Sequence, residues 1–199
     1  MTRPLDRGAS GFERFGGGVV GWSPVPAPAD HGSAGWSFDP ADAQGGTILP
    51  TAGRVEVVRV RAVAALVTNI NLHVTVAGAT LTASQCLAAL YTDAGALLSA
   101  TGNQATAWQS TGMKTMALMV AQAVTPGQFY RVAFYANGTT LPTFARGSAV
   151  GAVGSDLINY GLSAPGLRFS TADTGRTTSM PGTLGTQTAA PIAWWAGLS

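Results

Sequence analysis

Charge is what this chain has least of. Only 10% of its 199 residues are Asp, Glu, Lys or Arg, against roughly 25% in an average soluble domain. Lysine occurs once, at Lys114, and the formal net charge is +2. No phosphate-tracking patch assembles from that supply, which argues against nucleic acid as a partner. Long helices with solvated charged faces are excluded too, and so is a disordered polyelectrolyte, because the apolar fraction of 46% is normal for a folded protein. Cysteine occurs once, at Cys86, so no internal disulfide forms. Its run Cys86-Leu87-Ala88-Ala89-Leu90 predicts a buried, inert thiol. No run approaches the ~18 apolar residues of a membrane span. Met1 to Arg7 lacks the apolar stretch of a secretory leader. These absences predict a product made in the cytoplasm, without membrane insertion.

Chemistry-bearing residues are equally scarce. The histidines are His31 and His73, and beyond Val57 the carboxylates are Asp93, Asp156 and Asp173. Glycosidase chemistry needs two carboxylates facing one cleft, and three widely spaced aspartates supply that poorly. Gly161-Leu162-Ser163-Ala164-Pro165 lacks the second glycine of a nucleophile elbow. Gly16-x-Gly18-x-x-Gly21 matches a dinucleotide fingerprint in letters, but Trp22-Ser23-Pro24 follows where a helix is required. Asp39-Pro40-Ala41-Asp42 reads as a turn rather than a calcium loop. The expectation is a protein without enzymatic activity, bound metal or cofactor.

Glycine, by contrast, is abundant at 26 residues, alongside Ala, Thr and Val, a composition that points to strands and turns. Ile70, Leu72, Val74 and Val76 alternate with Asn69, Asn71, His73 and Thr75, the period of a half-buried strand. Arg54 to Arg61 also alternates, with a slip at Val57-Val58 that predicts a bulge. Cys86 to Tyr91 runs into the turn Thr92-Asp93-Ala94-Gly95, and Met113 to Val120 stops at Thr125-Pro126-Gly127. Phe129 to Ala136 runs into Asn137-Gly138, a hairpin signal. Leu157–Leu162, Leu167–Thr171 and Ile192–Leu198 are further strand candidates. This spacing predicts an all-β fold, an antiparallel β-sandwich of jelly-roll-like type over residues 53–199. Residues 1–52 are Gly- and Pro-rich and carry Phe12, Phe15, Trp22, Trp36 and Phe38, too many large aromatics for a solvated tail. They read as an extended arm that docks on another surface.

Aromatics set among amides and hydroxyls are candidates for carbohydrate contact. Trp108, in Gly102 to Gly112, fits that description or else caps the sandwich core; Tyr160 and Trp195 are the other candidate stacking residues. Of Trp194 and Trp195, on opposite faces of a strand, one should enter the core and the other should meet solvent or a neighbour.

From Val55 to Ser199 the pattern is similar to a β-rich domain of minor tail and tail-fibre-like proteins of phages infecting actinobacteria. The residues that carry it are Val67-Thr68-Asn69-Ile70, Cys86 to Tyr91, Thr106-Ala107-Trp108, Tyr130-Arg131-Val132, Pro142 to Gly147 and Trp194 to Ser199. The resemblance implies a virion component at the particle surface, homo-oligomeric, threefold by analogy with fibre and decoration proteins, whose tips contact host cell-surface carbohydrate. Other virion proteins would be met through residues 1–52. A capsid decoration or head-fibre protein, and a free carbohydrate-binding module, stay open as alternatives.

Overall fold

The computed structural model describes residues 26–46, 50–147 and 154–199. Phe12, Phe15, Trp22 and the Gly16 to Gly21 motif lie outside the described residues. Two antiparallel sheets pack face to face, so the predicted β-sandwich is the fold. One sheet runs β1 (Gly35–Trp36), β11 (Gly197–Leu198), β3 (Leu66–Val76), β6 (Gly112–Ala123), with β8 (Thr143–Phe144) also pairing β3. The other runs β10 (Thr188–Ala189), β9 (Phe169–Ala172), β2 (Val55–Arg61), β7 (Phe129–Thr140), β4 (Ala79–Thr92), β5 (Leu97–Ala100).

The alternation of β3 behaves as its sequence demands. Ile70, Leu72 and Val74 are buried between the sheets, and Asn71, His73 and Thr75 stand half-buried on the outer face. At the centre of the core Trp108, Phe134, Phe144 and Trp194 meet edge to face, with ring centroids 5.1–6.4 Å apart. The turns at Asp93-Ala94-Gly95 and Pro126-Gly127 are where the sequence put them, with Gly95 at φ 90 and Gly127 at φ 87.

Other expectations are corrected. No bulge breaks β2, whose pairing with β7 runs without a shift from Glu56–Phe134 to Arg61–Phe129. The apolar slip has another cause: Val58 and Val60 face the inter-sheet core while Val55 and Val57 lie under a third layer, the chain around Met180 and Leu184. A strand covered on both sides loses its polar face. Asn137-Gly138 does not turn either. β7 continues through it to Thr140, pairing Gly138 with Leu81 of β4. A Cβ on Gly138 would lie 2.8 Å from both Leu81 Cα and Thr80 O, so the glycine serves close approach of two strands. Asn137 meanwhile donates through Nδ2 to Gln85 Oε1 at 2.9 Å and to the Arg176 carbonyl at 2.6 Å. Leu157–Leu162 is not a strand: α1 (Gly154–Ile158) leads into turns there. The buried amide of Asn159 fastens that segment to β9, donating to Phe169 O and accepting from the Arg168 and Phe169 N–H groups.

The described part of the expected arm, 26–46, belongs to the sandwich. β1 pairs β11, the Ala34 N–H donates to Leu198 O at 2.7 Å, and Val63 N–H donates to Ala34 O at 2.8 Å. Trp36 is half-buried. Phe38 packs on the core beside Phe169, ring centroids 6.4 Å apart. Trp36 and Phe38, which would be unfavourable in water, are thus partly covered by the chain's own sheet.

Candidate functional site

The outer face of the five-stranded sheet carries two adjoining hollows of about 200 and 270 Å³. Pro40, Met113 and Trp195 line both. Gln44, His73 and Thr75 face the first, while His31, Trp36 and Asn71 face the second. The sequence builds this place from four distant stretches. β3 sends its polar row outward, and β6 sets Met113 opposite His73 in register. The chain before β11 delivers Trp195, whose N–H donates to Ala145 O at 2.9 Å. Its indole Nε1 donates to Phe38 O at 3.2 Å. Gly197 passes so close under the Trp195 ring that a Cβ there would lie 3.1 Å from it. Trp36 presents its ring edge-on to His31, centroids 5.1 Å apart.

The polar groups are only partly used within the protein. Asn71 Nδ2 donates to Ser199 Oγ at 3.1 Å, and the hydroxyls of Thr75 and Thr143 share a hydrogen bond of 2.7 Å. The His73 imidazole and the Gln44 side-chain amide make no hydrogen bond among the described residues. None of the residues lining either hollow is Asp, Glu, Lys or Arg. The surface therefore offers imidazole, amide and hydroxyl groups beside apolar ones.

Of the expected stacking residues, Trp108 is corrected. It lies in a tight turn between β5 and β6, fully buried against Phe144, and cannot meet a ligand. Tyr160 is 86% exposed beyond α1, near the exposed Leu157 and Leu162, and does not line the hollows. Trp195 is 6% exposed and forms their floor. Trp194 enters the core as one of the pair had to, whereas Trp195 is nearly covered on the outer face by the chain at Phe38 and Pro40. Trp36, read as an arm residue, is the aromatic that borders the site. The outward position of Asn71, His73 and Thr75 was legible in the alternation of β3. Their meeting with Trp36 and Trp195 depends on long-range pairing and carried no local signal.

Several ionisable groups elsewhere are engaged within the fold. Asp93 is paired with Arg59 at 2.5 Å and Arg131 at 3.2 Å, and hydrogen bonding from Arg59 holds its carboxyl below the ordinary range. Arg131 is 1% exposed and donates to the carbonyls of Asp93 and Pro165 and to Gln187 Oε1, tying three loops to one guanidinium. Burial pushes the Glu56 carboxyl up, against the opposing pull of Arg54 at 2.7 Å, and Trp194 Nε1 donates to it at 3.1 Å. Cys86 is buried, and burial raises its thiol as well. Among the described residues no group of three His, Cys, Asp or Glu side chains could hold a metal ion, and no helix is long and apolar enough to cross a membrane. No family model, curated protein or solved structure matches the chain.

Proposed function

We propose that this chain is a non-enzymatic structural subunit of a bacteriophage virion, a minor tail or fibre-type protein displayed at the particle surface and anchored through its N-terminal segment. The likeness of residues 55–199 to minor tail proteins supports the reading, and the observation that carries it is how the sandwich spends its charge and its edges. Asp93 and Glu56 are consumed by internal pairs. The terminal strands β1 and β10 are two residues long, and β5 is four. The free side of β6 is engaged near its middle by a bridge from Leu118 to Thr101 and by Ser99 Oγ, which accepts from the Val120 N–H at 3.1 Å. A scaffold of this kind suits display and contact through faces poor in charge, the property expected of a subunit packed among neighbours.

The test is location on intact particles. A label at Ser199 imaged at the tail supports the reading. Label on capsid faces would overturn the tail assignment in favour of a decoration or head-fibre protein, and no label on particles would overturn the virion reading. The anchoring half has its own variant. A chain beginning at Pro26 keeps β1 and Phe38 and should fold yet fail to join particles. One beginning at Gly53 would strip both from the core and would test stability instead.

A further inference from the structure

The geometry points to a carbohydrate site in the paired hollows, where a neutral oligosaccharide lies over Trp195 between Trp36 and His73. Its role in host attachment rests on the virion reading, but binding by the isolated protein does not. Four observations converge. First, no Asp, Glu, Lys or Arg side chain lines either hollow, so a ligand carrying several like charges would give up solvation without meeting an acidic or basic side chain of those types. Second, hydrogen-bonding groups converge with none of them buried away: among the described residues the His73 imidazole and the Gln44 side-chain amide have no hydrogen-bond partner, and the side-chain oxygen of Asn71 accepts no bond. Sugar hydroxyls donate and accept at once, which is what imidazoles and amides match. Third, apolar surface stands beside those groups. Met113 is 53% exposed across the strand from His73, and the half-buried Trp36 ring borders the other hollow. A pyranose has the same two characters, an apolar C–H face and a polar rim.

Fourth, size selects the length. Either hollow alone, at about 200 or 270 Å³, falls short of the roughly 300–1,000 Å³ usual for ligand pockets. They join through the floor of Trp195, so a ligand of two or three linked rings would engage both where one ring would engage half. His73 hangs over one hollow and Trp36 over the other, and each subsite therefore has a separate handle.

The experiment uses the full chain, with intrinsic tryptophan fluorescence and titration calorimetry. The probes are maltotriose, cellotriose and chitotriose, with trigalacturonate as the acidic comparator. The expected result is saturable binding of at least one neutral trisaccharide at millimolar concentration or below. His73→Ala and Gln44→Ala, both at half-buried or exposed positions, should each weaken it by about three- to tenfold, the loss of a neutral hydrogen bond, with unchanged thermal midpoints. Absence of binding by every neutral trisaccharide would overturn the proposal. So would binding that both variants retain in full, or equal affinity for trigalacturonate. A protein found on particles that binds none of these sugars would keep its virion role and lose this site; one that binds them but is missing from particles would do the reverse.

Discussion

Trp108 shows how much a residue's meaning depends on what lies over it. In the sequence it stands among amides and hydroxyls, and in the fold it fills the core against Phe144 while its indole N–H finds no acceptor among the described residues. Trp108→Ala should cost about 3–5 kcal/mol, the usual loss for a buried tryptophan. Trp108→Phe should cost considerably less, because it keeps most of the ring contacts and removes a buried donor without a partner. Urea unfolding of the three proteins checks the order. Glu56 makes a second prediction. Burial raises its folded-state pKa above 4.5, so the folded protein binds this proton more tightly than the unfolded chain does. The contribution of Glu56 to stability should therefore be complete only below pH 4.5 and be lost as pH rises through the raised folded value, and Glu56→Gln should flatten that limb. Asp93 acts with the opposite sign. Its carboxyl is held low, so its contribution persists above its unfolded value of 3.8 and fades only as pH drops through the folded value below it. A stability profile from neutral pH to strong acid separates the two limbs. Neither environment was legible in the sequence, since burial of Glu56 follows from Trp194 arriving across the core.

At the scale of elements, β3 was readable because one face is wet and the other dry, the condition under which alternation survives. β2 misled for the converse reason. Its outer valines lie beneath the chain around Met180 and Leu184, which has little regular structure and left no periodic trace in the sequence. Asn137-Gly138 misled through a different ambiguity, because glycine serves a turn and a close strand crossing equally well. The two uses separate experimentally. In a two-residue turn that demands positive φ, alanine costs through the backbone alone, whereas at Gly138, φ 159, an added methyl also collides with Thr80 O and with the Cα and side chain of Leu81. Gly138→Ala should destabilise by about 1–3 kcal/mol, the range for overpacking. Leu81→Ala should recover part of that loss in the double mutant, as it frees the side chain that the new methyl meets. Equilibrium unfolding of the single and double variants tests the coupling; strict additivity would place the cost on the backbone of Gly138, Thr80 and Leu81 rather than on the Leu81 side chain.

For the molecule as a whole, the all-β sandwich was legible in composition and turn spacing, while the partition at residue 52 was not. Residues 26–46 look like linker by composition, yet β1 closes one sheet and Phe38 packs on the core. The groove followed the same rule, with His73 readable as outward-facing and Trp36 and Trp195 brought to it only by the pairing of β1, β11 and β3. The truncated strand edges carry a consequence of their own. Subunits displayed at high local density meet one another constantly, and an open strand edge would let each encounter grow into irreversible cross-strand aggregation. With β1 and β10 cut to two residues and β6 engaged near its middle by Ser99 and Thr101, the described edges offer only short stretches of open backbone to a neighbour. Under the proposed virion role, short edges of this kind would let many copies be held close together while each remains a separate folded unit.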